Sequence, residues 1–288
     1  MQTLRFEAPD LGQKEQIDRI VEREDVMICD QTFGNLFCWG SLADAKIALW
    51  EDTFISCWGK RYTVPIGAGR KEALEQMLAM GITRFLGVDE RYKEWLEQTF
   101  PGKFTFKEAK NFDYIYEREA LATLKGKKLA AKRNHINAFE AAHQWEVKPI
   151  DSSNLKEVQD FNDWWCRENN CAEERSLAWE GCAVRIGLKH FEELGYTGLA
   201  LYADGKLCAF TYGEPMGKAG FCVHAEKADA DLRGAYPMIN REFAKSMPAH
   251  ITWLNREDDA GDEGLKKAKM SYRPALLLKK YEAEYINE

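Results

Sequence analysis

The chain has 288 residues, of which 45% are hydrophobic, 12% aromatic and 30% charged. That is more apolar material than a disordered chain carries, and enough length for two ordinary hydrophobic cores rather than one. A formal net charge of −7 argues against a general nucleic-acid coat, which needs an excess of Lys and Arg, but leaves room for a local basic surface.

No apolar run approaches the roughly 18 residues that span a bilayer, and the N-terminus is charged throughout, so no integral membrane segment is expected and a cytoplasmic protein is. In chain order, the first apolar periodicity predicts a helix over residues 13–23. Strands are expected at 46–50, 53–58 and 61–66. Gly67, Ala68 and Gly69 then open a helix through Leu74, Met77 and Leu78. Strand 83–88, helix 91–100 and strand 104–116 complete a first half, and a helix within 121–140 bridges to the second.

The second half, from residue 141, repeats this order. A strand at 145–150 leads through an N-cap at Asp151, Ser152 or Ser153 into a helix carrying Leu155, Val158, Phe161 and Trp165. A second helix presents Trp179, Cys182, Ala183, Ile186 and His190 on one face. Strands follow at 199–202, 207–212 and 221–225, the first pair turned by Asp204 and Gly205. Arg233, Gly234 and Ala235 lead into a helix with Pro237 near its first turn and Ile239, Phe243 and Met247 on one stripe. Strand 250–255, helix 264–272 and strand 275–281 finish the chain. Both halves therefore end strand, glycine loop, helix, strand, helix, strand. The expectation is an α/β chain of two similar domains, 1–140 and 141–288, each with a mixed central sheet flanked by helices.

Cys29, Cys38, Cys57, Cys166, Cys171, Cys182, Cys208 and Cys222 are scattered, with no C-x-x-C spacing. Reduced buried thiols and no metal site are expected.

Specific residues add a family to this pattern. NRED at 255–258, GLKKAK at 264–269 and YRP at 272–274 resemble the closing block of the phosphatidylglycerol lysyltransferase C-terminal domain family, within the tandem GNAT-like acyltransferases. So do TFGNL at 32–36, DYIY at 113–116 and KRNHIN at 132–137. The resemblance implies a degenerate N-terminal copy and a working cleft in the C-terminal copy. It also implies transfer of an aminoacyl or acyl group, from aminoacyl-tRNA or acyl-coenzyme A, to an amine or hydroxyl acceptor such as a lipid headgroup or peptide.

A site of this kind would lie between splayed strands at 221–225 and 250–255, with an N–H polarising the reacting carbonyl. The acid and base candidates are Glu226 and His224 at the end of one strand and Asp258 after the other, although a lone histidine between Val223 and Ala225 is more often a hydrogen-bonded core residue than a catalyst. Tyr272 is placed to serve the leaving group, although its spacing with Leu265 and Ala268 also predicts packing. Arg233, Gly234 and Ala235 either cradle a phosphate at a helix N-terminus or form a plain turn. Gly67, Ala68, Gly69 and Arg70 raise the same choice, with a glycine turn favoured. Asn255, followed by Arg256, ends a strand, where a buried amide must bond the next loop or a ligand. A basic stretch runs from Lys125, Lys127 and Lys128 to Lys132 and Arg133; in it and just beyond, Lys132, Arg133, Asn134 and Asn137 interleave with Leu129, Ile136 and Phe139, and a second basic group comprises Lys266, Lys267, Lys269 and Arg273. Brought to one cleft, these would receive a tRNA acceptor end or another phosphate-bearing group, with lipid contact limited to the periphery. Two other readings stand beside this one: a non-catalytic binding module, and an acetyl-coenzyme A-dependent N-acetyltransferase.

Overall fold

The computed structural model describes residues 4–286. It groups into two compact units: Met1–Asp113 with Met216–Lys218 and Leu277–Glu288, and Tyr114–Pro215 with Ala219–Leu276.

In the first unit, α1 (Lys14–Arg23) and α2 (Phe33–Ala43) precede β1 (Ala45–Trp50), β2 (Thr53–Trp58), β3 (Arg61–Thr63) and β4 (Ile66–Gly67). The third strand stops earlier than its pattern predicts, since Pro65 has no N–H to give a ladder. α3 (Arg70–Ala79), β5 (Arg84–Val88) and α4 (Glu90–Thr99) follow. β1 and β2 pair antiparallel, β2 pairs β3 antiparallel, and β3 runs parallel to β5. The C-terminal strand Leu276–Tyr285 closes this sheet by pairing antiparallel with β5. Trp50, Ile55, Leu74, Met77, Phe85, Val88, Leu96 and Ala283 are buried together in its core.

The second unit begins within β6 (Phe104–Glu117), followed by α5 (Arg118–Thr123), α6 (Ala130–Ala142), β7 (Trp145–Pro149), α7 (Leu155–Glu168) and α8 (Arg175–Lys189). Then come β8 (Thr197–Ala203), β9 (Lys206–Met216), β10 (Gly220–Ala228), α9 (Ala235–Ser246), β11 (Trp253–Asn255), α10 (Glu263–Met270) and β12 (Leu276–Tyr285), the C-terminal strand already described. β7, β8 and β9 form an antiparallel meander that continues to β10, and β10 runs parallel to β11. The residues of β6 that meet β11 are Ile115, Tyr116 and Glu117. Each unit thus carries the same device, a meander whose last strand is joined through a helix to a parallel neighbour.

Within the second unit α5 and α6 both pack on α9. α6 comes close to the start of α9 at Gly234, which caps α9 at φ 101°. A Cβ there would stand 2.3 Å from the carbonyl oxygen of His135. Both the left-handed backbone and the abutting helix therefore demand glycine. Gly234→Ala is expected to cost roughly 2–4 kcal/mol through strain and displacement of α6, measurable as a lowered urea midpoint at unchanged slope.

Candidate active site

β10 and β11 are paired from Gly220 with Trp253 to Cys222 with Asn255. β11 ends there while β10 runs on to Ala228, so the loop after Asn255 leaves beside an extended strand. That loop is tightly made. Asn255 is buried, and its Oδ1 accepts from the Glu257 N–H at 2.7 Å. Glu257 and Ala260 lie in the left-handed region, at φ 56° and 50°. Lys269, on α10, donates its ammonium to the carbonyls of Arg256, at 2.6 Å, and Asp258. Tyr116 donates its hydroxyl to the Lys269 carbonyl at 2.8 Å, and Tyr114 to Asp259 at 2.5 Å. Asp258 Oδ1 accepts from the Ala260 N–H at 2.9 Å.

The result is a fixed position for Arg256. Its Nη2 lies 2.8 Å from Glu226 Oε1, and both side chains are 11% exposed. Asn240, on α9, donates to Glu226 Oε2 at 2.8 Å, so both carboxylate oxygens of Glu226 are engaged. The guanidinium carbon of Arg256 is 4.8 Å from the Tyr272 ring centroid and 5.5 Å from that of Tyr116. Tyr272 stands in the turn just past α10 rather than inside the helix. Burial pushes the Tyr116 hydroxyl up to about 12 and raises Tyr272 further, with the Glu226 charge adding to both. Each is a neutral phenol at physiological pH.

Against the same Tyr272 ring lies the ammonium of Lys132, 3.9 Å from the centroid. Burial, and next the Arg256 charge, lower its pKa below the ordinary lysine value. Lys132 faces a cleft of about 400 Å³ lined by Lys128, Ala131, Lys132, His135, Pro237, Ser271 and Arg273. This volume is within the range of small-ligand sites. Lys128, Lys132 and Arg273 bring positive charge to it, and His135 adds a fourth group able to carry one.

Of the binding residues expected from sequence, the cleft thus unites Lys132 with Arg273. Arg133 turns elsewhere, donating to the carbonyls of Leu124 and, at 2.8 Å, Gly126. Asn134 and Asn137 are exposed on α6, and Arg233 is exposed ahead of α9. In the loop at 229–235, the Asp231 amide donates to Asp229 Oδ1, Leu232 to the Asp229 carbonyl and Ala235 to the Leu232 carbonyl. Lys128 comes from the basic stretch expected at a cleft, while His135, Asn240 and Tyr116 complete the arrangement and are not among the site residues expected from sequence. The signal for His135 is its spacing of three from Lys132 on one face of α6, with Lys128 in the turn just before that helix.

The family model for the C-terminal region of phosphatidylglycerol lysyltransferase matches residues 23–284. The chain belongs to that family. A conserved protein of unknown function from Bacteroides thetaiotaomicron is 38% identical, with 99% of this chain and 100% of that one superposed at a TM-score of 0.91. The C-terminal domain of a putative lysylphosphatidylglycerol synthetase from Agrobacterium fabrum is 16% identical, over 96% and 92% of the two chains, at a TM-score of 0.66. L-PGS from Bacillus licheniformis is 19% identical, over 98% and 94%, at 0.62. The fold of this phosphatidylglycerol lysyltransferase relative is accordingly that of the lysylphosphatidylglycerol synthetase C-terminal domains, and the membership supports a transferase of aminoacyl kind. Among the described residues no helix is long and apolar enough to cross a membrane.

Proposed function

We propose that this chain transfers an aminoacyl group from aminoacyl-tRNA to an amine or hydroxyl acceptor, with the phosphate-bearing end of the donor held in the basic cleft. The observation that carries this reading is the convergence of Lys128, Lys132, His135 and Arg273 on one cleft, with Lys132 set against Tyr272. Phosphate oxygens are met there by charge-assisted hydrogen bonds.

Aminoacyl transfer forms a bond from the acceptor to the ester carbonyl carbon and breaks the bond to the ribose oxygen. The acceptor loses a proton and the leaving oxygen gains one. Tyr272, kept protonated by burial, is the assigned proton donor. Asp258 is the assigned base, and Arg256, steered by Glu226, stabilises the carbonyl oxygen as charge develops on it. Asn134 and Asn137, exposed beside the cleft on α6, are available to the donor beyond its terminal phosphates. The names of the solved relatives make lysyl-tRNA and phosphatidylglycerol the first pair to try.

The test supplies the purified chain with tRNA charged in turn with each labelled amino acid, together with phosphatidylglycerol vesicles or a simple peptide amine. Label is expected to move to an acceptor faster than it is lost by hydrolysis without protein. Uniform failure with every charged tRNA, alongside acetylation of amines from acetyl-coenzyme A, would replace this reading with an N-acetyltransferase.

A further inference from the structure

The second unit holds another polar cluster that the proposed transfer does not use. His224 on β10 presents Nε2 to Glu214 Oε1 and Nδ1 to Glu257 Oε1, each at 2.9 Å. Cys222, two residues earlier on the same strand, places Sγ 3.8 Å from His224 Nδ1 and 3.6 Å from Glu257 Oε1. Three of its members are interior, with Cys222 and Glu214 buried and the His224 side chain 7% exposed, while the Glu257 side chain is 24% exposed. The rings of Tyr196 and Tyr212 wall it at 5.3 and 6.4 Å from the imidazole.

We propose that Cys222, His224 and Glu257 bind a divalent ion of the zinc class, with Glu214 orienting the histidine. The three ligand atoms lie within 4.8 Å of one another. A tetrahedral zinc with ordinary bond lengths separates sulfur from nitrogen or oxygen by about 3.5 Å, and nitrogen from oxygen by about 3.3 Å. The observed 3.8, 3.6 and 2.9 Å need only small side-chain adjustments to meet those edges. One thiolate, one imidazole and one carboxylate suit zinc, and leave a fourth position for water or substrate.

The supporting feature is Glu214. A metal-ligating histidine almost always donates its other N–H to a carboxylate or carbonyl, which fixes the tautomer. Glu214 stands at Nε2 and thereby directs the Nδ1 lone pair at the point shared by Cys222 and Glu257. The ion takes the Cys222 sulfur as its thiolate and the Nδ1 lone pair of a neutral His224. The bound ion also ties β10 to the loop carrying Arg256, since Glu257 is the next residue.

The full chain, stripped with chelator and kept reduced, is titrated with Co²⁺ alone. One equivalent is expected to produce the visible bands of tetrahedral cobalt and a near-ultraviolet thiolate-to-cobalt band, both removed by Zn²⁺. Cys222→Ser should abolish the thiolate band, Glu214→Gln should weaken binding roughly 10–100-fold, and Cys57→Ser should change neither. Circular dichroism of each variant separates loss of the site from loss of the fold. Absence of micromolar binding by the folded chain, or a thiolate band that persists in folded Cys222→Ser, overturns the proposal.

Discussion

Replacing Glu226 with glutamine is expected to destabilise the protein by roughly 3–5 kcal/mol, because it leaves the Arg256 guanidinium buried without its counter-charge. Both side chains are 11% exposed, so water cannot take over the solvation that Glu226 provides. Two more effects point the same way: Lys132 lies close enough for its charge and that of Arg256 to be felt mutually, and the amide that replaces the carboxylate can turn a donor toward Arg256 or Asn240. The comparison that gives the number meaning is Lys156→Ala. Its pair with Asp160 is exposed on α7, and such pairs contribute less than about 1 kcal/mol. Thermal unfolding should show a fall on the order of 10 °C for Glu226→Gln and almost none for Lys156→Ala. Adding Arg256→Met to a Glu226→Leu background should restore most of the stability, since apolar replacement of both partners of a buried pair is often neutral. That double variant should remain inactive in aminoacyl transfer. Recovery of the fold without recovery of activity separates the functional role of Arg256 from its structural one.

The fold is legible in the sequence where periodicity and punctuation agree. Thr53–Trp58 is a short, largely apolar run between turns, buried over its first five residues, and α7 places Val158, Phe161 and Trp165 in the core at helical spacing. α2, FGNLFCWGSLA, gives no such sign. It is apolar on nearly every side and contains two glycines, so it has no polar face to set a period, and its burial supplies what its propensity lacks. α5 has six residues, which is too short for a period to register. The closing strands show a different limit. Residues 104–116 and 275–281 both read as strands, but a strand pattern identifies a strand and not its partner. The C-terminal strand pairs with β5, while the end of β6 pairs with β11.

The site is legible in part, for reasons of register. The run from Lys125 to Arg133 declares a basic segment, but which members share a face depends on where the helix starts. With α6 beginning at Ala130, Lys132 and His135 face the cleft with Lys128, and Arg133, about 100° further round, closes the preceding turn at Leu124 and Gly126. Lys269 reads in sequence as one more cation of the final helix, yet its ammonium is spent on the carbonyls of Arg256 and Asp258. Cys222 and His224 do not read as metal ligands in sequence because spacing rules describe loops and helices. On a strand, positions i and i+2 share a face, and the third group arrives from 33 residues on.

The second large effect is expected at the cleft itself. Lys132→Ala should weaken binding of a charged tRNA acceptor end about 10–100-fold, the scale of losing a charge-assisted hydrogen bond in a partly desolvated site. It should also reduce the slope of log affinity against log salt by about 0.7, as expected for one fewer neutralised phosphate on a single strand. Arg273, exposed at the cleft rim, should change the slope equally but the affinity less. The pH dependence has a definite sign. Because burial lowers the pKa of Lys132, the cleft loses this charge as pH rises through a value below that of an ordinary lysine. Binding should therefore weaken with rising pH before the other lysines titrate, and Lys132→Arg, charged throughout, should remove that early fall. Folding responds in the opposite sense. The unfolded chain holds the Lys132 proton more tightly, so stability should rise with pH across the window between the lowered folded value and the ordinary one. A binding curve and a stability curve that move in opposite directions over the same window, and that both flatten in Lys132→Arg, would assign the charge in the cleft to this one ammonium.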